Sequence, residues 1–165
     1  MPNKDKIQRK KDSQNDEIIY TFSNGDIYTG TVKNGKFCGK GDYLAVNGDH
    51  YTGSFVSGMI SGFGKAVFEN NTFVDIYEGQ WVGGLATGEG KATLTGFGDR
   101  YEGFFTFGKF HGQGSLFYHN GDAYEGRFEN GIPSGDGKML FREAKVIINR
   151  NFNSRGIDRA STGDL

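Results

Sequence analysis

The residues with the strongest chemical associations are glycines. Gly84-Leu-Ala-Thr-Gly-Glu-Gly-Lys91-Ala92 comes nearest to a phosphate-cradling loop. The spacing such a loop needs would place its first glycine at Leu85, and Ala92 stands where a Ser or Thr would hold magnesium. The histidines, His50, His111 and His119, show no metal-ligand spacing. The one cysteine, Cys38, excludes an internal disulfide and a multi-cysteine zinc site, and it favours a reducing compartment. Asp26, Asp49, Asp75, Asp99 and Asp122 recur, but at turns, where aspartate accepts backbone hydrogen bonds; the ligand density of a calcium loop is missing. No nucleophile–base–acid set emerges. The expectation is a chain that is not an enzyme and carries no cofactor or metal.

What the glycines do is set by their period. Tyr28, Tyr51, Tyr77, Tyr101 and Tyr124 are spaced 23, 26, 24 and 23 residues apart, and Tyr-x-Gly-x4-Gly-x3-Gly-x-Gly holds after each. Four residues past each Tyr stands Val32, Phe55, Trp81, Phe105 or Phe128. Tyr, Gly and the large apolar residue at i, i+2 and i+4 occupy one face of a strand. Asn34-Gly35 and Asn130-Gly131 mark hairpins inside units, and Asn24-Gly25, Asn47-Gly48 and Asn120-Gly121 mark turns between them. Residues 18–25 read as a half repeat. The predicted fold is all-β, a single-layer twisted antiparallel meander of about 11 strands over residues 18–141. Each strand glycine costs roughly 0.5–1 kcal/mol against alanine. A side-chain-free track on which a neighbouring ring lies offsets that cost, since burying one large apolar group contributes roughly 1.5–3 kcal/mol.

These units, for example Tyr124-Glu-Gly-Arg-Phe-Glu-Asn-Gly-Ile-Pro-Ser-Gly-Asp-Gly, closely resemble the MORN repeat. The resemblance implies a repeat solenoid and points toward a protein-binding scaffold in a cytoskeletal setting such as a cilium, flagellum or cell cortex. It also implies that a partner segment lies along the sheet. Two other roles stay open beside it: a membrane-associated phosphoinositide-binding module, and a regulatory subunit of an enzyme.

Residues 1–17 hold five basic and four acidic residues and no aromatic, which reads as a disordered tail. Residues 142–165 read as a cap followed by a loose tail. Within them Ala144, Ile147, Ile148 and Phe152 share a helical face, while Val146-Ile147-Ile148 suits a strand; either would cover the open sheet end. No apolar leader follows Met1-Pro2-Asn3, so a cytoplasmic location is expected. Near-neutral charge, 19 Lys+Arg against 20 Asp+Glu, argues against nucleic acid as partner. The array carries 9 basic and 13 acidic residues, so any membrane contact would use the basic tails. Open sheet ends would permit a homodimer.

A one-layer sheet is expected to leave its ring row accessible as a partner trough, built from Tyr51, Tyr77, Trp81, Tyr101, Phe105, Tyr124 and Phe128. Phe63, Phe104 and Phe107 are singled out because the repeat does not require them: Lys, Glu, Gln or Asp fills the Phe63 slot elsewhere, and Thr, Ser, Gln or Arg the Phe104 slot. Phe63 and Phe104 alternate with the glycine positions. Both should therefore project from the opposite, polar side as a docking patch.

Overall fold

The computed structural model describes residues 5–9, 17–71, 73–153 and 156–157. They form one antiparallel sheet in which fourteen strands follow chain order, each bonded to its sequence neighbours. The strands are β1 (Lys6–Arg9), β2 (Glu17–Thr21), β3 (Ile27–Lys33), β4 (Lys36–Leu44), β5 (His50–Val56), β6 (Met59–Val67) and β7 (Val74–Val82). After these come β8 (Leu85–Leu94), β9 (Arg100–Thr106), β10 (Lys109–Phe117), β11 (Ala123–Glu129), β12 (Ile132–Phe141), β13 (Val146–Asn153) and β14 (Gly156–Ile157). The predicted eleven are β2–β12. The other three lie in the segments read as tail and cap. Lys6–Arg9 pairs with β2 instead of being disordered, and residues 146–153 are a strand, paired to β12 through Met139 opposite Ile148. Residues 1–4, 10–16, 154–155 and 158–165 of the two expected tails, Lys4, Lys10 and Lys11 among them, lie outside the described residues.

Each interior unit is one hairpin with a lock. The Tyr28 ring lies flat over Gly30 on its own strand and Gly41 on the next; a methyl added at Gly41 would sit 2.7 Å from Tyr28 Cε2. Its hydroxyl donates to the Thr31 carbonyl at 3.0 Å. Tyr51, Tyr77, Tyr101 and Tyr124 repeat the arrangement, donating to the carbonyls of Ser54, Gln80, Phe104 and Arg127. Units then interlock edge to face: Tyr28 meets Phe55 at 5.0 Å, Tyr51 meets Trp81 at 5.4 Å, Tyr77 meets Phe105 at 4.8 Å and Tyr101 meets Phe128 at 5.0 Å. Val32, the one non-aromatic in that series, is compensated by Phe37, which stacks on Tyr28 at 3.8 Å; Phe110 does the same for Tyr101.

The third glycine of each unit has a different task from the one its spacing suggests. Gly39, Gly62, Gly88, Gly112 and Gly135 have φ between 62° and 102°, where side chains are strained. They sit in bulges that insert extra residues into the second strand, as between Gly64 and Ile60 opposite Gly53 and Phe55.

Two ladders bind the edges. Along one, a turn glycine of each unit donates to the unit before: Gly58 to Phe37 O, Gly84 to Ile60 O, Gly108 to Ala86 O and Gly131 to Phe110 O, at 2.8–2.9 Å. Along the other, the repeated aspartates accept from 20 residues on. Asp26, Asp49, Asp99 and Asp122 take the backbone N–H of Val46, Glu69, His119 and Arg142, and Asp75 takes the Thr95 hydroxyl. The turn aspartates are thus structural acceptors, as their placement suggests.

Candidate partner-binding face

The expected accessible ring trough is corrected by burial. Tyr101 and Phe128 are 0 % exposed, and Tyr51, Tyr77, Trp81, Phe105 and Tyr124 are buried beside them. The edge-to-face interlocking is the reason: each ring fills the gap between its neighbours, so a single layer closes its own core. Burial pushes the Tyr28, Tyr77 and Tyr101 hydroxyls up to about 12. Those seven side chains are at most 7 % exposed and offer a partner little surface.

The polar face is different. Phe63 and Phe104 are 55 % and 46 % exposed, and both line one cavity of about 730 Å³ on that face. The alternation that predicts a shared side therefore holds. Phe63 stands opposite Gln80 and Phe104 opposite Glu89, which places the two rings three strands apart, roughly 14 Å. The cavity floor is glycine backbone, Gly90, Gly103 and Gly114, whose bare face belongs to the tyrosine tracks beneath. Its walls carry Glu78, Glu89, Glu102 and Glu125 against one cation, Lys91. Lys91 Nζ lies 3.1 Å from Glu102, and Lys65, Arg127 and Lys138, outside the lining, stand opposite Glu78, Gln113 and Glu125.

Phe107 is not part of that cavity. It occupies the first turn position of the β9–β10 hairpin with φ 49°, where Asn34, Ser57, Gly83 and Asn130 stand in other units. A bulky ring in left-handed backbone is strained, and here it is 74 % exposed, with no burial to offset the strain.

Sequence reasoning missed an apolar strip on the same face. Val56 pairs with Met59 and Val82 with Leu85, all exposed on the polar face next to their turns. The signal was present in the repeat: the corresponding pairs are Lys33 with Lys36, Thr106 with Lys109 and Glu129 with Ile132, none of them apolar on both strands. The histidines take surface roles, His50 beside Asp42 and Thr52, and His119 bonded to Asp99 and stacked on Phe97 at 4.6 Å. Cys38 faces Thr31 across the β3–β4 pair, and His111 faces Phe104 across β9–β10.

The sequence profile described as MORN repeat matches residues 28–50, 51–73, 77–95, 101–123 and 124–143, more than half of the chain. No curated protein matches this sequence.

Proposed function

The chain belongs to the MORN-repeat family, whose repeats are commonly protein- or membrane-binding modules and are of a non-catalytic type, and from that premise we propose that it is a non-catalytic scaffold that docks a partner protein on the polar face of its sheet. The observation that supports this reading is the pair Phe63 and Phe104, two exposed rings that the repeat does not need, walling one cavity. Exposed apolar groups of this kind cost solubility unless a partner covers them. The setting proposed is cytoplasmic and cytoskeletal, in a cilium, a flagellum or the cell cortex. Affinity capture from source cells with F63S/F104S beside the unaltered chain tests it. Partners should be lost from the double variant, and an unchanged set of bound proteins would refute this docking face.

A second reading, membrane association through phosphoinositides, is favoured by one separate feature. Lys33 and Lys36 stand directly opposite each other, with Lys40 exposed nearby, and like charges in register repel unless an anion sits between them. Co-sedimentation with phosphoinositide vesicles across a salt series, comparing K33E/K36E, separates the two. Salt-sensitive binding lost in K33E/K36E but kept in F63S/F104S supports the membrane.

A further inference from the structure

The polar face carries a cross-strand row of charges one register step from the two rings. Lys65 faces Glu78, Glu78 faces Lys91, and Lys91 faces Glu102. Signs alternate strand by strand, as stable cross-strand neighbours should. The alternation breaks once. Ser115 stands between Glu102 on β9 and Glu125 on β11, after which Lys138 resumes the row. Between Asp42 and Lys138, outside which Thr29 and Asn149 end the charged row, the other uncharged member is Thr52; it lies between Asp42 and Lys65, which are already opposite in sign, and its hydroxyl donates to Asp42 at 2.6 Å. Ser115 is thus the position where the ladder lacks a cation. The two glutamates flanking it are two strand spacings apart, roughly 10 Å, and line the same cavity as Phe63 and Phe104.

Resting on the docking face proposed above, we infer that the cavity takes a basic amphipathic segment of a partner protein, whose Lys or Arg completes the ladder above Ser115 while apolar side chains settle between Phe63 and Phe104. Charge complementarity selects this occupant. Lys65, Lys91 and Lys138 each stand opposite a glutamate and Arg127 opposite Gln113, whereas Ser115 alone among the uncharged members has a carboxylate on either side, so the unfilled position favours a cation over an anionic headgroup or an acidic peptide. A cation over Ser115 meets two carboxylates and has an exposed aromatic ring close by in the same cavity. The exposed Val56–Met59 and Val82–Leu85 pairs lie on the same face at the hairpin edge, outside the cavity lining.

The test uses the whole chain and two labelled peptides of about 14 residues with leucine on one helical face, the rest lysine in one and glutamate in the other, read by fluorescence anisotropy. The lysine peptide should bind, and its affinity should fall as ionic strength rises from about 0.02 to about 0.2 M. S115K supplies the missing cation from within and should weaken binding roughly ten-fold or more, with S115T, the neutral control, unchanged and the melting temperature of both preserved. F63S/F104S should weaken it at least as much. Equal binding of the glutamate peptide, or full binding by S115K, would overturn the charge assignment. If S115K binds fully while F63S/F104S does not, the docking face stands and the basic occupant falls. Sedimentation of the chain alone covers the remaining occupant: a dimer dissolved by F104S would mean that a second copy, not a basic segment, fills the seat.

Discussion

The interior hairpins and the two ends of the sheet follow one register with different residues. In β3 the order is Tyr28, Gly30, Val32, and in β11 it is Tyr124, Gly126, Phe128. In β13 the equivalent positions are Ile148, Arg150 and Phe152, opposite Met139, Gly137 and Gly135. In β1, Ile7 and Arg9 stand where Tyr and Gly would, opposite Tyr20 and Ile18. Phe152 still meets Tyr124 edge to face at 4.9 Å, and Asp5 still accepts from Ser23 N–H and the Tyr20 hydroxyl, as Asp26 does from Val46 and Tyr43. Only the ring-and-track lock is dropped. A tyrosine needs a bare track on the following strand: β13 is followed only by the two-residue β14, and β2 carries Ile18 where the track glycine would stand opposite β1. Arg150 in the glycine slot suits an end: a charge on the inner face discourages another strand from adding. The Arg150 Nε is buried with no hydrogen-bond partner among the described residues, a cost that an interior strand would not carry.

This contrast can be broken in four ways. The largest effect belongs to the rings: Y101A should destabilise by about 3–5 kcal/mol in urea unfolding, and I148A by less than half as much. Equal losses would mean that the ends carry as much of the core as the centre. Next come the tracks. A methyl at Gly90 would sit 2.6 Å from Tyr77 Cε2, so G90A should cost about 1–3 kcal/mol. R150G should stay within about 0.5 kcal/mol of the unaltered chain, and the pair I148Y/R150G should promote end-to-end association in sedimentation.

Alkali separates centre from end more finely. Tyr28, Tyr77 and Tyr101 are raised to about 12 by burial, whereas Tyr20 at the N-terminal end is raised first by its bond to Asp5. An unfolded tyrosine loses its proton near 10. Folded tyrosines hold theirs longer, so stability is complete below about pH 10 and is lost as pH climbs toward about 12. Circular dichroism and tyrosinate absorbance should therefore change together, and Y77F/Y101F should move that transition to higher pH. In the aspartate ladder, D99A should cost about 1 kcal/mol and speed amide exchange at His119, while D5A frays Ser23 with its turn and frees the Tyr20 hydroxyl.

Much of this was legible beforehand because the repeat writes its strands in identical spacing. Tyr-x-Gly and the Asn-Gly turns locate β2–β12, and the displacement of Phe63 and Phe104 from the glycine face locates the side on which the two rings are exposed. The ends escaped because their signal is a substitution: Ile for Tyr and Arg for Gly erase the motif while the register and Asp5 persist. The sealed core escaped for another reason. Periodicity says which face a ring takes, but not that Tyr77 and Phe105, a unit apart, approach to 4.8 Å and shut out water between them. The gap at Ser115 became visible only with register, since the residues that flank it lie ten or more positions away in sequence.

The strict neighbour-to-neighbour pairing of the strands has a consequence for how the molecule is made. No strand waits for a distant segment, so a nascent chain can settle hairpin by hairpin as it leaves the ribosome. At translation speeds of roughly 5–20 residues per second, a new unit emerges about every 1–5 s, ample time for a hairpin that forms in microseconds to seat on its predecessor.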